Sequence, residues 1–142
     1  MGSLADLLLA TYSDIPDIIA SDYPLGTFKG TNVDGLDPFM LAALHVLLTE
    51  TAFDELVDQY QPIAEASTEG PWLVRIPPEL LAKLADIAPH DHGVIAARWA
   101  ETEQLRAEGW TEEDVRLFLD ALILHAQSMP LEEKELFLWT YG

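Results

Sequence analysis

The stretch that most limits the fold is PFMLAALHVLLT, residues 38–49, in which His45 is the sole ionisable side chain. Asp37 offers an acceptor to the free N–H groups of a helix start, and Pro38 takes the favoured first helical position. A helix that is apolar all round has no face to present to water and belongs in the core. The rest of the chain must pack around it.

Further elements follow from the punctuation. Ser3 with Asp6 is a capping-box-like start for a helix from Leu4 to Thr11, and Ser13 with Asp17 starts a second that ends before Pro24. PLGTFKGTNVDGL, residues 24–36, reads as an irregular loop. Thr51 with Asp54 predicts a helix to Tyr60 that buries Phe53, Leu56, Val57 and Tyr60. EASTEG reads as a loop, PWLVRI (71–76) as a strand, and Pro78 with Glu79 as the start of a helix through Ile87.

Beyond PHDHG (89–93) the spacing of Ile95, Trp99, Thr102 and Leu105 predicts one helix, closed by Gly109 as its C′ residue. Thr111 with Asp114 opens another, with Val115, Phe118, Leu122 and His125 on one face and Leu117, Ala121 and Leu124 on a second buried face. ELFLWTY (135–141) reads as a strand that pairs with 71–76, since a lone strand leaves its backbone unsatisfied. The expected fold class is mainly α (α+β). It is a single-domain compact helical bundle of about six or seven helices with a small two-stranded sheet formed by 71–76 and 135–141.

Charge narrows the function classes. The chain of 142 residues has 25 acids and 7 bases, a net charge of −18. Residues 1–74 hold twelve acids and only Lys29, a net of −11, and the remainder accounts for −7. Such a field repels nucleic acid and anionic lipid and attracts basic proteins. The absence of cysteine excludes disulfides and thiol catalysis and suits a reducing compartment. No apolar run of about 18 residues predicts a membrane span, and no basic leader segment is present, so a cytoplasmic location is expected. There is no G-x-S-x-G, P-loop or dinucleotide fingerprint, and the serines fall in caps or loops.

His90 and His92 flank Asp91, and such residues serve as zinc or iron ligands. A site of that kind draws ligands from several elements, however, and PHDHG also carries what a helix start requires, so it reads as a cap. His45 and His125 would form a proton-transfer pair if they met. Apart, each would be a neutral histidine with one hydrogen bond, which is the reading preferred here.

The opening MG, GLDPFMLAALHVLLTE, the central GPW and the closing aromatic segment resemble small uncharacterised bacterial proteins of the YfbM-like kind. The resemblance covers the broad layout and one apolar helix. It implies a bacterial or phage origin and brings no catalytic motif with it.

From residue 30 to residue 74 there are eight acids and no base. If one helix ran through, Glu50, Asp54 and Asp58 would share a face at about 6 Å spacing and oppose it by about 0.2–0.5 kcal/mol per pair. If Thr51 is the cap, Asp54 and Glu55 sit in a first turn, where negative charge is favourable. The expectation is a non-enzymatic inhibitor of the immunity-protein, antitoxin or nucleic-acid-mimic type, without a cofactor. It would dock on a basic protein, such as a toxin or a nucleic-acid-binding enzyme, through Glu50, Asp54, Glu55, Asp58, Glu65 and Glu69. The alternatives are a metal-assisted hydrolase using His90, Asp91 and His92, and an adaptor or homo-oligomer that exposes Trp110 or Trp139.

Overall fold

The computed structural model describes the backbone of residues 4–141, and the side chains of all of these except 130–132. Its first element corrects the sequence reading. Leu4–Ala10, LADLLLA, is strand β1 and not a helix, and Ser3, the expected cap, lies outside the described residues. Every residue from Ala5 to Ala10 is buried. An apolar run buried on both sides has no period from which helix and strand can be told apart, and strand pairing on both flanks decides the matter.

A short 3₁₀ turn leads into helix α1 (Ile15–Ala20), and the expected loop then contains strand β2 (Lys29–Asn32). Helix α2 (Pro38–Thr49) has the predicted bounds, with the Met40 N–H donating to Asp37 Oδ1 at 2.9 Å. Helix α3 (Phe53–Leu56) runs into a 3₁₀ turn at Val57–Tyr60, and its N-cap is Ala52, with no side-chain cap. Thr51 instead places its hydroxyl 2.9 Å from that of Thr49. Strand β3 (Ala64–Glu65) ends on the first residue of the expected loop, and strand β4 (Trp72–Arg75) and helix α4 (Pro78–Ala85) follow.

The single helix expected after residue 93 is two, α5 (His92–Ala100) and α6 (Glu103–Ala107). The Thr102 hydroxyl donates to the Trp99 carbonyl at 2.6 Å, a side-chain bond that competes with helix propagation. Helix α7 (Glu112–Glu132) starts at the predicted Thr111–Asp114 capping box, and strand β5 (Glu135–Tyr141) completes the fold.

The expected strands do pair, as β4 and β5, but within a five-stranded antiparallel sheet of order β2-β1-β5-β4-β3. With seven α-helices among the described residues, this is an α+β fold and not a helical bundle with a two-stranded sheet. β1 and β5 pair along their full length, Leu7 opposite Leu138. On the other flank Leu8 faces Gly30 of β2, where a Cβ would run into the Leu7 carbonyl. Glycine is what lets that strand approach.

Each face of the sheet is covered. Leu7, Leu9, Val74, Leu136 and Leu138 point into a core shared with the larger helices. Leu8, Leu73, Phe137 and Trp139 point the other way, onto Ile18 of α1 and the partly buried Leu25 and Phe28. Each fully buried leucine contributes about 1.5–3 kcal/mol. Trp99 of α5 is fully buried and its indole N–H donates to the Met40 carbonyl at 2.9 Å, tying α5 to α2. Helix α7 is not buried on two sides as expected, because Leu117 and Leu124 stand 72% and 63% exposed. No helix among the described residues is long and apolar enough to cross a membrane.

Asp6 is a buried acid in the middle of β1, and its Oδ1 accepts from Asn32 Nδ2 at 2.9 Å. Burial raises its pKa above the ordinary 3.8, the Asn32 hydrogen bond opposes the shift, and nearby Asp34 adds to it. A raised folded pKa gives stability that is full below the unfolded value and is lost as pH climbs through the folded one. Asp6→Asn keeps the acceptor and removes the charge. Its melting temperature is expected to exceed wild type by a few degrees at pH 7 and to match it at pH 3 (about 4 °C corresponds to 1 kcal/mol at this chain length). An equal or lower value at pH 7 in a thermal melt would contradict this account.

Candidate functional site

The acidic segment takes its shape from the way α2 ends. The Glu50 N–H makes the last helical bond, to the Val46 carbonyl at 2.8 Å, and its left-handed backbone, φ 61°, stops the helix. Glu50, Asp54 and Asp58 therefore do not form a row along one helix. Asp54 and Glu55 occupy the first turn of α3, where the positive end of the helix favours them. Asp58 follows in the 3₁₀ turn, which packs on α2 and β4; Glu65 lies on β3, the sheet edge; and Glu69 lies in the hairpin between β3 and β4.

All six carboxylates are exposed. The ion pairs among the described residues (Arg75–Glu135, Arg116–Asp120 and three that involve histidine) include none of them. The strip of these residues runs along the chain from the end of α2 to the β3–β4 hairpin.

Beside it opens a cavity of about 340 Å³. Its walls come from the first turns of α2, the turn at 57–62 and the ends of β4 and β5, with Phe39, Val57, Pro62, Trp72 and Tyr141 among them. Asp37 is the only ionisable carboxylate in the lining. Burial raises the pKa of Asp37; the Met40 N–H opposes this, Glu108 adds to it, and the Phe39 N–H lowers it again. Phe39 and Tyr141 are 58% and 43% exposed. The sequence presented Asp37 only as a helix cap, and no local signal marked the cavity, because four distant segments build it.

The histidines are placed apart. His45, fully buried, has Nδ1 2.8 Å from the Tyr60 hydroxyl and Nε2 3.3 Å from the Glu79 carboxylate. Burial, and then the Glu79 charge, push the Tyr60 ionisation far above its ordinary range, so this phenol is a neutral anchor that fixes the 57–60 turn on α2. His125 has Nε2 2.8 Å from the Thr31 hydroxyl. The two therefore do not form a proton-transfer pair.

At PHDHG the chain makes a 3₁₀ turn (Pro89–Asp91) into α5, but Asp91 gives no side-chain cap bond. His90 points outward, 83% exposed, whereas His92 turns inward with Nδ1 3.4 Å from Asp120 on α7. No group of three histidine or acidic side chains among the described residues is arranged to hold a metal. Of the two tryptophans considered for self-association, Trp139 is buried, and Trp110 packs edge-on against Phe118 with its N–H donated to Glu108.

Comparison with protein-family models, curated proteins and solved structures finds no match to this chain.

The pKa of His125 is lowered by burial first and by the Lys29 charge second. The stability this gives is present above the ordinary value of 6.5 and is lost as pH falls through the lower folded value. His125→Gln, which keeps a partner for Thr31, is expected to flatten the decline of melting temperature between pH 7 and pH 5. An unchanged slope would place the sensitive group elsewhere.

Proposed function

We propose that this protein is a non-enzymatic binding protein that occludes a basic protein partner in the cytoplasm, in the manner of an immunity protein, an antitoxin or a nucleic-acid mimic. The observation that carries the reading is the strip of six exposed carboxylates, Glu50, Asp54, Glu55, Asp58, Glu65 and Glu69, outside every ion pair found among the described residues. Other acids, Glu112, Glu113 and Asp114 among them, also lie outside these pairs, and what sets the strip apart is the stretch from residue 30 to residue 74 with eight acids and no base. Uncompensated charge on one side of a molecule steers an oppositely charged partner and raises its association rate, with strong dependence on salt. A surface shaped for phosphate would fit such carboxylates equally well, so a toxin or a nucleic-acid-processing enzyme is the partner class proposed.

The test compares two variants of equal net charge. One reverses Asp54, Glu55, Asp58 and Glu65 to lysine. The other reverses Glu101, Glu103, Glu112 and Glu113. Partners retained from host extract at low salt are identified, and their association rates are measured against each chain. The first variant should slow association by about 10–100-fold while the second stays near wild type. Equal losses in both would mean that net charge alone governs capture. No loss in either would remove the docking reading.

A further inference from the structure

We infer that the cavity beside Asp37 receives an arginine side chain of the basic partner. This rests on the proposed docking function and adds to it the anchor that fixes register. The walls are largely apolar, and at the mouth Phe39 and Tyr141 are 58% and 43% exposed, with the half-buried Trp72 beside them. A neutral apolar occupant would finish dehydrating the Asp37 carboxylate and give it no counter-charge, which is costly. An anion would meet Asp37 and the Glu108 charge that already acts on it. A cation removes both problems.

Among cations the guanidinium fits the walls best. It is planar and weakly hydrated, can lie against indole, phenol or phenyl rings, and still directs N–H groups at a carboxylate. An ammonium is a strongly hydrated point charge and gains less from flat aromatic walls. Asp37 Oδ1 already accepts the Met40 N–H, which holds the carboxylate in place. The proton affinity of Asp37 is raised first by burial and then by Glu108, both of which a cation in the cavity would offset. The volume of about 340 Å³ lies at the small end of ligand sites and suits one side chain. Anchors of this kind, a long side chain in a desolvated pocket ringed by weaker contacts, carry much of the energy in protein interfaces.

The experiment titrates the full chain with two short peptides, acetyl-Gly-Arg-Gly-amide and its citrulline analogue, which replaces the cation by a neutral urea of the same shape. Trp72-side amide shifts are followed by NMR. The arginine peptide is expected to bind about tenfold more tightly than the citrulline peptide. Asp37→Asn should abolish that preference without unfolding the chain, because asparagine caps helices as well as aspartate does. Trp72→Leu should weaken both peptides. Equal affinities in the wild type, no saturable binding of either peptide, or a preference that survives Asp37→Asn would overturn the inference.

The two readings fail separately. Loss of partner capture on reversing Asp54, Glu55, Asp58 and Glu65, with no arginine preference at Asp37, leaves the docking face and removes the anchor. Arginine preference with capture unchanged by that reversal leaves a cation pocket and removes the docking face.

Discussion

The pairing of β1 with β5 is the constraint on which the rest depends. The two strands run antiparallel over their full length, from Leu4 opposite Tyr141 to Ala10 opposite Glu135, and join the two ends of the described chain in the middle of the sheet. Both are buried on both faces, so one side must be closed by the larger helices and the other by α1 and the segment leading to β2. That requirement explains why LADLLLA and ELFLWTY are so apolar. α2 packs on α4, α5 and α6 and buries Met40 to His45 in the same core.

The same topology puts the candidate site together. The chain that connects α2 to the edge strand β3 turns Leu56 and Tyr60 inward and leaves Glu50, Asp54, Glu55 and Asp58 exposed. Glu65 on the edge strand also discourages pairing with another sheet, a use of charge common at exposed edges. The cavity opens beside this strip, where the start of α2 meets the ends of β4 and β5. The buried contact of Tyr60 with His45 holds the intervening turn against α2, so the acidic strip and the cavity wall share one rigid support.

How much of this the sequence disclosed depends on whether a signal was local. Asp37 with Pro38, the Thr111–Asp114 box and Gly109 at φ 77° were legible because helix ends are set by adjacent residues. β1 was not, since six consecutive buried residues show no alternation and leucine favours helices when nothing else intervenes. β2 was hidden for the opposite reason: KGTN has no apolar pattern, and its place in the sheet depends on Gly30 meeting Leu7 across the ladder. Leu117 and Leu124 looked buried by spacing and Trp139 looked available, and both readings reversed because burial follows tertiary position. The six carboxylates were legible as residues of the surface. Their relation to Asp37 and the cavity was not, because it joins segments some hundred residues apart in the chain.

The central claim is that negative charge is gathered along the β3 edge for contact and not simply distributed over the surface. The most direct test is an amide footprint: the isotopically labelled chain titrated at low salt with an arginine-rich peptide, and the shifts mapped residue by residue. The account requires the largest changes at residues 50–69 and 37–39, with the acidic start of α7 at Glu112–Asp114 little moved. Changes of similar size wherever acids stand, Glu112–Asp114 included, would show that no docking face exists.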